Sequence, residues 1–143
     1  MSYTTTRSNV NQYNNVNSYT GVTDANPHQL VQMLIDGALG KLSVLKGLIE
    51  RKETAKKGQV VGQAISIIGG LRSSLDMEKG GDLAANLDDV YEYIERRLVQ
   101  ANLKNDVAIV DEVVALLREI KTAWESIPVE TRTKPSPDLS VVS

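Results

Sequence analysis

The sequence predicts an all-α protein, an antiparallel up-down four-helix bundle. Three observations lead there. Apolar residues recur at helical spacing in four separate stretches. No stretch reads as a strand. The breaks between the four are short and carry cap and turn residues, and short connections favour antiparallel neighbours. The chain has 143 residues, the length of one domain. It has no Phe and one Trp, so its core must be aliphatic.

Residues 1–25 are a polar arm of Asn, Thr and Ser without Leu or Ile. Such a composition buries too little surface to offset the entropy of ordering, so a flexible arm is expected. Within it Val10, Tyr13, Val16, Tyr19 and Val22 recur every three residues. Either that spacing is chance in a low-complexity stretch, or the arm can lay a sparse apolar edge on a groove.

The first helix is expected over residues 27–53. Asn26 is a good N-cap and Pro27 suits the first helical position. Apolar residues then crowd in, with Leu30, Val31, Met33, Leu34, Ile35, Ala38 and Leu39 in ten positions. On ideal geometry they spread over roughly 240°, where a surface helix needs a stripe of about 100° or a little more. Gln29, Gln32, Asp36, Gly40, Ser43 and Gly47 share the remaining face. Lys41 and Lys46 fall inside the arc and can lay their stems along it. Gly37 lies there too, at a cost of about 0.5–1 kcal/mol against Ala, and close approach of another backbone is the expected return. The side bearing Leu30, Leu34, Ala38 and Leu45 is assigned to the core. Met33 on one flank, and Ile35, Leu39 and Leu42 on the other, are then surplus.

The second helix, residues 56–77, carries Val60, Val61, Ala64, Ile65, Ile67, Ile68, Leu71 and Leu75 as one wide stripe. Gly69-Gly70 interrupts it, which marks a tight contact or a weak point. Gly80-Gly81 ends this helix and Asp82 caps the third, residues 83–102. Its core face is Leu83, Leu87, Val90, Tyr91, Ile94, Leu98 and Ala101, with Tyr93 pointing away. The fourth starts after "LKND", capped by Asn105 or Asp106, and ends near Pro128. Its stripe is Ile109, Val110, Val113, Val114, Leu116, Leu117, Ile120 and Trp124. Residues 129–143 have no helical period and read as a disordered tail. The chain thus divides into an arm (1–25), a helical domain (26–128) and a tail (129–143).

Little here suggests chemistry. A net charge of −2 gives no electrostatic footprint for nucleic acid. The absence of Cys removes disulfides, thiol catalysis and Cys-type zinc sites. The opening residues have no apolar core of a signal peptide, and no apolar run approaches a membrane span, so no membrane insertion is expected. His28, the single histidine, sits beside the positive end of a helix dipole and reads as a solvated bystander. One His also excludes a carboxylate di-iron site, which needs two Glu-x-x-His pairs. Asp88, Asp89, Glu92 and Glu95 read as a solvated face paired at i,i+3 and i,i+4 with Arg96 and Arg97. "GQVVGQAISIIGG" lacks the lysine of a phosphate loop. The reading is a binding protein rather than an enzyme, with no cofactor and no metal.

Two blocks carry a family resemblance. "VTDANPHQLVQMLIDGALGKL" (residues 22–42) resembles the opening of the FliS family of flagellin-export chaperones: a Tyr-bearing arm (Tyr13 or Tyr19), a cap of Asp24-Ala25-Asn26-Pro27, then Leu30 and Met33-Leu34. "YIERRLVQANLKNDVAIVDEVVALLREIKTAWESIP" (residues 93–128) is similar to the family's third and fourth helices. Asn26 stands where the family commonly has Ser, and Ile35 where it often has an aromatic residue. The resemblance covers about residues 10–128. It implies a bacterial cytoplasmic chaperone that binds the disordered C-terminal segment of flagellin as amphipathic helices, blocks premature assembly and delivers its cargo to the flagellar export gate. Apolar anchors displayed outside a core suit that mode. The resulting candidate flagellin-binding residues are Tyr13, Tyr19, Leu30, Met33, Leu34, Ile35, Leu39, Leu42, Ile65, Ile68 and Leu71. If the Tyr/Val spacing of the arm is not chance, the arm covers the groove when it is empty. A monomer is the expectation and a dimer the alternative. A competing reading is a structural four-helix subunit that self-associates through the surplus apolar surface.

Overall fold

The computed structural model describes residues 26–127. They form four helices and no strand: α1 (Pro27–Glu50), α2 (Thr54–Ser73), α3 (Gly81–Lys104) and α4 (Val107–Glu125). Each packs on its neighbours in chain order, and α4 closes the ring against α1. The antiparallel register of that closing pair is written in side chains. Gln32 Nε2 donates to Glu125 Oε2 at 3.0 Å, Lys121 Nζ lies 2.7 Å from Asp36, and Lys46 Nζ lies 2.9 Å from Asp111. Moving along α1 moves an equal step back along α4. The all-α bundle expected from the sequence is what forms.

The core is aliphatic throughout. Ile35, Leu42 and Leu45 from α1 meet Ile68 and Leu71 from α2, Ile94 and Leu98 from α3, and Val110, Val113 and Leu117 from α4, all fully buried. Burying one such side chain stabilises by roughly 1.5–3 kcal/mol before entropy is counted. Tyr91 is the one aromatic residue inside this cluster. Burial pushes its hydroxyl up to about 12. Because the folded value is raised, its contribution is complete below the unfolded value near 10 and is lost as pH rises toward 12. Thermal melts are therefore expected to fall steeply above pH 10 in the native protein, and less steeply in Tyr91→Phe.

The helix ends explain the differences from the expected boundaries. α1 stops at Glu50 rather than residue 53, because Lys52 turns to φ 58°. The Glu53 N–H then reaches Leu48 O at 3.0 Å and the Lys52 N–H reaches Ile49 O at 3.1 Å, a Schellman closure with lysine where glycine is usual. α2 ends at Ser73 rather than residue 77, and the turn that follows is pinned by Asp76 Oδ1, which accepts from the Lys79 N–H at 2.9 Å. Gly80, rather than Asp82, stands at the cap of α3, and Asp82 lies in its first turn. Asn105 closes α3 at φ 53°, which leaves Asp106 to cap α4 by accepting from the Ala108 N–H at 2.9 Å.

Lys57, which the pattern did not single out, is buried. Its Nζ donates to Asn102 O at 2.9 Å and to Asn105 Oδ1 at 2.6 Å. A cation at the carbonyl end of a helix is favoured by the dipole, and these bonds fix the start of α2 to the end of α3.

Candidate docking flank on the first helix

The excess of apolar residues on α1 resolves once its core direction is known. Buried positions are His28, Val31, Ile35, Ala38, Leu42, Leu45, Leu48 and Ile49. On ideal geometry their mean direction is turned by roughly 50° from the expected one. The cause is α4. Gln32, Asp36 and Lys46 pair with Glu125, Lys121 and Asp111 along the α1–α4 seam while staying partly open to water. The neighbour that pairs with them draws the core toward that side.

The assignment within the arc is corrected accordingly. Ile35 and Leu42, expected on a free flank, have no exposed surface. Leu30, expected in the core, is 36% exposed, and Leu34 is half-buried at the core edge. Ile68 and Leu71 of α2 are likewise fully buried. Burial leaves these four aliphatic side chains nothing to offer a partner in this conformation. Leu39 is half-buried at the flank facing α4, beside the polar ladder. Ile65 is half-buried on the strip of α2 that also carries Gly69 and Arg72, facing α3. Tyr13 and Tyr19 lie outside the described residues.

On α1 itself one flank remains open, on the side opposite the ladder; elsewhere Met77, Val99 and Leu103 are also exposed. The flank consists of Leu30, Met33, Leu34 and, nearly three turns beyond Leu34, Val44, which is 51% exposed. Val44 was missed by the sequence reading, although its spacing marks it: Leu30, Gly37 and Val44 are seven residues apart and share a line along the helix. Gly37 lies in that line. A Cβ there would meet only Ile67 Cδ1 at 3.8 Å, an ordinary side-chain contact, so the expected close backbone approach is absent. A Cβ on Gly40 would meet nothing within 4 Å. The flank therefore carries four apolar side chains with the half-buried Lys41 among them, and it is open at Gly37 and Gly40.

Several polar groups on the other faces hold helices together. Arg72 Nε donates to Asp88 Oδ1 at 2.8 Å, and its Nη1 to Glu95 Oε1 at 2.7 Å. Tyr93 Oη donates to Glu112 Oε2 at 2.6 Å, and Arg97 Nε to Glu112 Oε1 at 2.8 Å. The acidic run on α3 is the expected solvated face only in part, at Asp89 and Glu92. Only Glu92 pairs along its own helix, with Arg96 at 3.8 Å, while Asp88 and Glu95 clasp α2 and Arg97 reaches α4.

The Arg72 guanidinium holds Asp88 below its ordinary value, and the Tyr93 and Arg97 bonds do the same for Glu112. Both folded values are depressed. Their contribution is complete above the ordinary 3.8 and 4.5 and is lost as pH falls through the lower folded values. The melting temperature is expected to hold down to about pH 5 and to drop below pH 4.5. Arg72→Gln should flatten that acid limb in a pH series of thermal melts.

His28 overturns its expected role as a solvated bystander. It is 3% exposed, and its ring stacks on Trp124 with centroids 4.9 Å apart and planes 11° from parallel. Its Nε2 donates to Trp124 O at 2.8 Å, and Trp124 Nε1 donates to His28 O at 2.9 Å. No helix among the described residues is long and apolar enough to cross a membrane.

The family model described as flagellar protein FliS matches residues 9–131. The flagellar secretion chaperone FliSB of Pseudomonas aeruginosa is 51% identical over 116 residues, covering 81% of this chain and 92% of that protein. The flagellar secretion chaperone FliS of Salmonella typhimurium is 43% identical over 123 residues, covering 85% and 91%. That of Vibrio cholerae is 41% identical over 124 residues, covering 87% and 91%.

Proposed function

Because this chain belongs to the FliS family of flagellar proteins, we propose that it is a cytoplasmic secretion chaperone for flagellin. In this reading it binds the disordered C-terminal segment of flagellin, prevents premature polymerisation, and hands the segment to the type III export gate. The observation that supports it best is the open flank of α1. Leu30, Met33, Leu34 and Val44 offer apolar anchors at helical spacing, with Gly37 and Gly40 leaving room between them for a second helix. An amphipathic segment laying its apolar face there would follow helix-in-groove recognition. Leu39 and Ile65 lie on other faces, which suits a cargo that wraps the bundle rather than filling a single slot.

The energetics suit a chaperone. A disordered segment that folds on binding loses part of its interaction energy to ordering, so it can be held and still be released. The test is a titration of the full chain with a synthetic flagellin C-terminal segment, followed by calorimetry and far-UV circular dichroism. Saturable binding with a gain of helix beyond the sum of the parts is expected. No heat and no added helix at high micromolar peptide would overturn the reading.

A further inference from the structure

We propose that His28 and Trp124 form a latch that positions the start of α1 for docking. The inference rests on the proposed function for its partner, but the latch itself is a property of the free protein. His28 lies in the first turn of α1 and Trp124 in the last turn of α4. Helix termini carry unpaired backbone groups and open most readily. Here each end answers the other. His28 donates to a terminal carbonyl of α4, Trp124 donates back to a first-turn carbonyl of α1, and the two rings stack between them. Gln32, one turn further, repeats the link through Glu125.

The consequence falls on the docking flank. Leu30, Met33 and Leu34 begin two residues after His28, so their placement depends on the first two turns of α1 staying helical and seated. Local support for that is thin: Asn26 caps the helix, but the first turn holds no acidic residue to favour its dipole. Leu30 itself is among the exposed apolar residues and contributes little anchoring. The stacked pair therefore acts as a positioning device. It keeps three partly exposed apolar side chains displayed rather than collapsed or frayed. His28 and Trp124 touch each other rather than the flank surface, and so they are positioning residues.

The test compares His28→Ala and Trp124→Ala with Val113→Ala, a core truncation remote from the latch that lowers global stability. Amide exchange reads the free protein, and calorimetry reads binding of the flagellin C-terminal segment. Both latch variants are expected to lose protection at residues 29–35 about tenfold beyond Val113→Ala, and to bind the segment about tenfold more weakly than it does. His28→Gln, which keeps an N–H for the Trp124 carbonyl, should recover part of both, and it serves in place of the alanine variant if that fails to fold. Protection or affinity that changes no more than in Val113→Ala would overturn the latch. A native protein that binds no segment would instead sink the functional reading, while the exchange data still judge the latch.

Discussion

Ile35→Ala should lower the free energy of unfolding by about 2–5 kcal/mol, the range for truncating a fully buried branched side chain that leaves a cavity. Ile35 has no exposed surface and sits among the buried residues of all four helices. Domains of this size have only about 5–15 kcal/mol in hand. A loss of this order should lower the melting temperature by ten degrees or more. Denaturant unfolding followed by circular dichroism measures it directly. A loss below 0.5 kcal/mol would mean that Ile35 is not the core residue described here. Any loss of cargo binding in this variant should track the unfolded fraction, because Ile35 offers no surface of its own.

The opposite pattern is expected from Leu30→Asp combined with Met33→Asp. These positions lie on the open flank, so the fold should persist with a melting temperature within a few degrees of native. Affinity for the flagellin C-terminal segment should fall at least about thirtyfold, the effect of losing one anchor worth roughly 2 kcal/mol. Calorimetry gives the affinity and a thermal melt gives the control. Native affinity in the folded double variant would remove this flank from the binding surface.

The contrast between these two variants marks what could and could not be read from the sequence. Helix number and most of the core were legible because α3 and α4 carry narrow stripes. Leu98, Val110, Val113 and Leu117 are buried as their spacing dictates. The first helix was legible as a helix but not in its rotation. An arc of roughly 240° fits several core directions, and the polar residues that would choose among them proved to be partners for α4. Asp36 looks solvent-directed in sequence; only the position of Lys121, 2.7 Å away, shows that it marks an interface. His28 failed for a related reason. Its stacking partner is 96 residues away, and no local pattern connects them. Lys57 was unreadable too, since a lysine at a helix start is ordinarily exposed, and its acceptors lie at the far end of α3. Val44 was readable in principle, from its place seven residues after Gly37, but it lies beyond the crowded residues 30–39 that define the arc.

The family relationship names a class of work, and the proposed function assigns that work to the α1 flank. Amide chemical-shift mapping of the full chain, titrated with the flagellin C-terminal segment, tests that central claim most directly. The largest changes are expected at Leu30, Met33, Leu34, Gly37 and Val44, in slow or intermediate exchange at equimolar segment. Shifts confined to the α3–α4 side around Tyr93, Arg97 and Glu112, or none at all, would contradict it.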